Sequence, residues 1–422
     1  MTVPAILHPF AAPAREATGY LEIVRGEGCV LEDAAGRRYL DGTAALWFCA
    51  AGHGRREIAE AVSSQMRELD AFHTFGSFTN APQQRLAALL AELAPIPDAR
   101  VLFTNSGSEA IDSALKLARA GHRANGEAGR TVFLSRVGGY HGVMLGGTSI
   151  SGLPANRAQF GPLLAECVQV ERSSLDAMRE AVAYHGGDRI AAIVTEPVQG
   201  AGGVFPPPDG YLQGLRDLCD ECGALLVFDE VITGFGRLGS WFASHHYGVT
   251  PDLLTFAKAV TSGYLPLGGV VVGPRVRGWL ESEEGYLLAH GGTYAGHPAC
   301  CAAAIANLGI LSAERLPERA ATAGARLRAG LDPLLGSRGV ADVRGEGLMQ
   351  AIGLEPEVPA GSVVAALLAR GVIGRLIPSV NAVAFSPPLV ISEAEIVEIL
   401  EALDGALTEV AATAPGGSGR IG

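Results

Sequence analysis

Between residues 84 and 272 the sequence repeats one simple unit, a short apolar run followed by a segment with helical spacing. The runs at 100–104, 131–134, 190–195, 224–228, 253–256 and 268–272 are apolar at nearly every position, ALLVF at 224–228 most completely. A strand with two apolar faces has to be covered on both. Helical periodicity at 85–93, 109–120 and 211–221 supplies the covers. This alternation predicts an α/β fold with a mostly parallel central sheet in a large domain.

The flanking segments read differently. Residues 28–33 and 38–41 bracket a turn at Ala35-Gly36, as in a hairpin, and 56–69 has helical spacing through Ile58, Val62, Met66 and Leu69. Beyond Pro298 come a long helix to about 311, a helix at 318–335, strands at 340–344 and 349–354, and a helix at 362–369. Short strands near 372 and at 382–385 and a final helix at 392–411 complete a smaller α+β domain. With 422 residues the chain exceeds what one core of roughly 250–300 residues accommodates. The expected division is an N-terminal arm and part of the small domain at 1–50, the large domain at 51–310 and the C-terminal small domain at 311–422, with a flexible tail from Ala414.

Composition narrows the function. At 48% hydrophobic and 18% charged residues there is ample material for a core. A net charge of −12 argues against nucleic acid and anionic membrane as partners. The seven cysteines form an odd set, and scattered histidines offer no spaced ligand set, so buried reduced thiols and no metal are expected. The opening MTVPAILHPFAAPARE lacks a basic start before a long apolar core, and no uncharged apolar run reaches the roughly 18 residues of a membrane helix. These features make a cytoplasmic location the expectation.

Four features carry chemistry. Asp229 closes the apolar strand ALLVF, where ligands of open α/β sheets bind, although such an Asp also caps turns. Lys258 ends another apolar strand, 252–257, and is one of only two lysines, the other being Lys116. Desolvation there would favour its neutral amine, which Schiff-base chemistry needs; an ion pair with Asp229 or Asp252 is the alternative. Ser106-Gly107-Ser108 joins a strand to a helix and forms either a plain cap or an anion cradle. Tyr140 and His141, flanked by glycines, offer a flat face for a planar ring, or simply a satisfied histidine. Together a phosphate cradle, a stacking aromatic, a carboxylate and a lone lysine ask for a phosphorylated pyridine aldehyde.

The chain resembles the class III, or omega, aminotransferases of fold type I over nearly its whole length, from Leu46-Trp47 to the SPPL at 386–389. The resemblance rests on TNSGSEA at 104–110, GGYHG at 138–142, TEPVQGAGGV at 195–204, FDEVITGFGRLG at 228–239, FAKAVTSGYLPLGG at 256–269 and HGGTYAGHP at 290–298, in the family's order. It implies pyridoxal 5'-phosphate as cofactor, Lys258 as its Schiff-base and proton-shuttling residue, and Asp229 at the ring nitrogen. It further implies Val231 and Tyr140 on the two ring faces, His141 in the cofactor site, and Glu196 beside the phenolic oxygen. Ser106, Gly107 and Ser108 would hold the phosphate with Thr293 of the partner subunit, in a homodimer, possibly paired into tetramers. Trp47 and Ala201 would line the substrate pocket, and Arg375 would pair with a substrate carboxylate.

The implied reaction is a ping-pong transfer of an amino group from an omega-amino acid or amine to a keto acid, pyruvate first among them. An aminomutase, racemase or dialkylglycine decarboxylase of the same fold is the alternative, and a non-catalytic module keeping the fold is the more distant one. The chain departs from the family at Gly292, at 72–75 and at 378–381, all near the expected pocket.

Overall fold

The computed structural model describes residues 5–13, 20–282 and 284–413; the expected flexible tail and part of the opening segment lie outside these. The chain starts with an antiparallel meander of β1 (Ile23–Glu27), β2 (Val30–Asp33) and β3 (Arg38–Asp41). The central sheet follows with β4 (Arg100–Thr104), β5 (Val132–Arg136), β6 (Cys167–Val170), β7 (Ile190–Thr195), β8 (Leu225–Asp229), β9 (Leu253–Phe256) and β10 (Gly268–Val272). Its order is β4-β10-β9-β8-β7-β5-β6, and only β10 runs against its neighbours.

The side chains of β8 show why the sheet is sandwiched. Leu225 and Val227 join the cluster under helix Gly107–Ala124, with Ala110, Ile111 and Ala114. Leu226 and Phe228 point to the other face and meet Leu212, Leu215 and Cys219 of helix Tyr211–Cys222. Period-two alternation therefore feeds two separate apolar layers, and every residue of the strand is buried. At about 25 cal/mol per Å² of apolar surface, this double burial is the main source of the sheet's stability.

The C-terminal region forms a second, antiparallel sheet, ordered β11 (Val340–Glu346), β12 (Met349–Leu354), β15 (Ala382–Phe385), β14 (Arg375–Ile377). Between them, β13 (Val372–Ile373) pairs in parallel with β3, so the N-terminal meander shares a sheet with a strand from the far end of the chain. Residues before 51 and after 311 are thus joined by hydrogen bonds. Among the described residues no single helix is long and apolar enough to cross a membrane; one bent pair, Pro298–Ala313 with Leu316–Leu334, passes on length and composition.

Several elements differ from the reading of the sequence. β1, β6 and helix Leu175–His185 were not anticipated, because each mixes polar and apolar residues without a clean period. Lys258 does not end its strand; β9 stops at Phe256 and Lys258 opens a one-turn 3₁₀ helix.

Candidate active site

The carboxyl ends of β4, β8 and β9 converge on a cavity of about 400 Å³, bordered by Ser106, Ser108, Tyr140, Asp229, Val231 and Lys258. Helix Gly107–Ala124 begins at its rim. Ser106 caps that helix, its Oγ accepting from Glu109 N at 3.1 Å, and Glu109 Oε2 reaches back to Asn105 N at 2.8 Å. The cap expected of this stretch is therefore present. The cap occupies Ser106 Oγ, while among the described residues no acceptor meets the N–H groups of Gly107 and Ser108. Two orphan donors at a helix start beside a cavity suit an anion.

Close backbone approach builds the rest of the cradle. A Cβ on Gly107 would lie 2.9 Å from Val231 Cγ1, so only glycine lets the strand-end valine stand there. Gly142, at φ +93°, would place a Cβ 2.8 Å from Ser108 Cα. The loop carrying Tyr140 consequently sits directly on the helix start, and Ser108 Oγ accepts from Val143 N at 3.0 Å.

Asp229 is the last residue of β8 and is nearly buried. Its Oδ2 lies 2.8 Å from His141 Nδ1, and since a carboxylate only accepts, Nδ1 carries the proton. Its Oδ1 accepts from Thr255 Oγ1 and Val231 N, both at 3.2 Å. His141 thus borders the cavity with its Nδ1 committed to Asp229. Thr255, which pairs with Asp229 across β8 and β9, escaped the sequence reading. A threonine inside the otherwise apolar LLTF was its one available signal.

Lys258 keeps part of its surface on the cavity, and its backbone holds φ +49°, a region unfavourable for a side-chain-bearing residue. Burial pushes its ammonium pKa down, against the opposing pull of Asp229 and Glu196, and Arg375 adds to the lowering. Among the described residues it forms no ion pair; Asp252, the other candidate, is 2.8 Å from Arg216 instead. Glu196 is buried and accepts from Tyr140 N at 2.9 Å and Gly200 N at 2.8 Å. Burial pushes its carboxyl pKa up. Tyr140 is likewise raised by burial, then by Asp229 and Glu196, while Arg375 lowers it.

Trp47, Ala201 and Arg375, expected on the substrate side, lie in a neighbouring cluster. Arg375 opens β14, forms no ion pair among the described residues, and holds its guanidinium carbon 5.5 Å from the Trp47 ring centroid. Trp47 is buried in a cluster with Val204, Ile232 and Ile377, against which Ala201 packs. Phe48 and Leu265, absent from the sequence reading, border the cavity, whereas Trp47, Ala201 and Arg375 do not. Thr293 is exposed and does not border the cavity of its own chain.

These residues fit pyridoxal phosphate. Two orphan N–H donors answer its phosphate, a buried carboxylate answers a protonated ring nitrogen, Val231 and Tyr140 offer flat contacts, and an unpaired lysine of lowered pKa answers its aldehyde.

Comparison with known proteins gives a consistent outcome. Residues 11–407 match the family described as aminotransferase class III. The chain is 38% identical over 357 residues to a beta-alanine–pyruvate aminotransferase of Pseudomonas aeruginosa, covering 79% of each chain. It is 37% identical over 399 residues to an omega-aminotransferase of Caulobacter vibrioides, covering 89% of this chain and 90% of the relative. An amine transaminase structure from an uncultivated Pseudomonas species, with pyridoxal phosphate bound, superposes with a TM-score of 0.92 at 37% identity, over 96% of this chain and 99% of that one.

Proposed function

The chain belongs to the class III aminotransferases and is a pyridoxal-phosphate-dependent aminotransferase; from that premise we propose that it carries the amino group of an omega-amino acid or amine to pyruvate. The observation that carries this reading is Lys258, unpaired and of lowered pKa, beside the buried Asp229–His141 pair. The relatives' donors and acceptor support it, since one takes beta-alanine and pyruvate by name.

Pyridoxal phosphate, when bound, supplies a carbonyl that takes up the amino group and a ring that withdraws electrons from the reacting carbon. The chain's own residues do the rest. Lys258 would hold the aldehyde, and its neutral amine, favoured by burial, would move a proton at the reacting carbon. Asp229 would face the ring nitrogen, and His141 Nδ1–H and Thr255 Oγ1–H hold its carboxylate in place. Ser106, Gly107 and Ser108 would hold the phosphate, with Val231, Tyr140 and Glu196 lining the space for the ring. Arg375 grips the carboxylate of the acceptor, bidentate geometry being the natural use of a guanidinium. Trp47 and Ala201 bound the donor's side chain.

Within the same proposal the protein is a cytoplasmic homodimer in which Thr293 of the partner subunit completes the phosphate site. Supporting this is an exposed apolar surface of Phe72, Phe75, Phe78, Leu287 and Tyr294, with Phe72 and Phe78 edge to face at 5.2 Å. The domain bounds at 51 and 311 are part of the reading as well. The test is product stoichiometry with beta-alanine and pyruvate. One alanine formed per amine consumed, and none without pyruvate, supports aminotransfer; product formed without a keto acid refutes it.

A further inference from the structure

The turn that presents Trp47 and Phe48 is strained in an unusual way. Ala44, Ala45 and Trp47 hold φ of +46°, +57° and +61°, although none is glycine, and Ala45 pairs its φ with ψ −83°. Such conformations persist only where the surroundings over-determine them. Here the restraint is the fully buried carboxylate of Asp41. Its Oδ1 accepts from Thr43 N and Thr43 Oγ1, both at 3.1 Å. Its Oδ2 accepts from Ala45 N at 2.7 Å and lies 2.8 Å from His53 Nε2.

The same turn touches both sides of the site. Asp41 is in register with Ile373, two residues before Arg375, and a Cβ on Gly42 would fall 2.6 Å from Ile373 O. On the other side, Phe48 packs on Gly263, where a Cβ would fall 2.2 Å from Phe48 Cδ2, and Ala51 N donates to Ser262 Oγ at 2.9 Å. We propose that Asp41, braced by His53, is a positioning residue that holds this strained turn so that Trp47 and Arg375 form the carboxylate-binding side of the pocket. This rests on the reading of Arg375 given above.

The test uses the holoenzyme. Asn at position 41 keeps the volume but sets an amide N–H₂ against the N–H of Ala45 or Thr43. Asp41→Asn raises the KM for pyruvate about tenfold while the kcat at saturation and the visible band of bound cofactor stay near wild type. Adding Ala45→Gly, which tolerates the backbone without restraint, recovers most of that loss. Thr43→Val, a milder change, gives the same pattern at about threefold and serves if Asp41→Asn does not fold. Unchanged KM in both variants, or loss of cofactor and kcat together with no recovery by Ala45→Gly, overturns the proposal. Arg375→Ala is the control: if it leaves the pyruvate KM unmoved, the reading of Arg375 fails, whereas an effect there with none in Asp41→Asn or Thr43→Val refutes the role of Asp41 alone.

Discussion

Lys258 owes its chemistry to what surrounds it, and the sign of that effect is open to measurement. Burial lowers its pKa below the ordinary 10.5, so the folded chain holds fewer protons there than the unfolded chain between the lowered value and 10.5. The resulting cost to stability is full below the folded pKa and fades as pH rises to 10.5. Lys258→Met should therefore raise the melting point of the cofactor-free protein at pH 7, and the difference should shrink by pH 10; a difference that grows with pH would contradict the burial argument. Lys258 and Asp229 were legible in the sequence because each is an ionisable residue set against an apolar run, Asp229 closing its strand and Lys258 two residues beyond its own. Asp41 was not, because nothing in its neighbours' identity reveals that two alanines and a tryptophan adopt left-handed backbone.

At the scale of elements, the segment after β8 depends on Glu230. This carboxylate is fully buried and accepts from Ala243 N at 2.5 Å, Ser244 N at 2.8 Å, Ser244 Oγ at 2.5 Å and Thr233 Oγ1 at 3.0 Å. It ties helix Ala243–Tyr247 to the strand end that carries Asp229, although burial raises its pKa. Glu230→Ala strands those donors and should cost about 2–4 kcal/mol, read as a lower denaturant midpoint at unchanged slope. A loss below about 0.5 kcal/mol would show that water replaces the carboxylate. The buried strands were readable because two apolar faces leave a continuous run, as at 253–256. β6 was missed because CVQV is a half-buried edge strand whose Gln169 interrupts the run, and helix Leu175–His185 because only Met178 and Val182 are buried in it.

Across the whole molecule, residues as distant in sequence as Ser106 and Lys258 meet at one cavity because parallel strands put their carboxyl ends on the same side of the sheet. That geometry brings five of the six motifs to one cavity, while HGGTYAGHP at 290–298 does not border it. The pairing of β3 with β13 was not legible, since a two-residue strand leaves no pattern. At this scale the prediction concerns assembly: Thr293→Ala should weaken cofactor retention about tenfold in equilibrium dialysis without changing the sedimentation coefficient. Retention equal to wild type would remove Thr293 from the phosphate site.

The central claim, that Lys258 and the bound cofactor pass an amino group in two separable halves, has a direct measurement. Purified holoenzyme is titrated with one amine at a time, without acceptor, while the visible band of the bound cofactor is followed. The account predicts that an omega-amine bleaches the band, that pyruvate restores it, and that Lys258→Ala shows neither change. A band untouched by every amine, or product released while it stays constant and no keto acid is present, would contradict aminotransfer and point to another reaction at the same site.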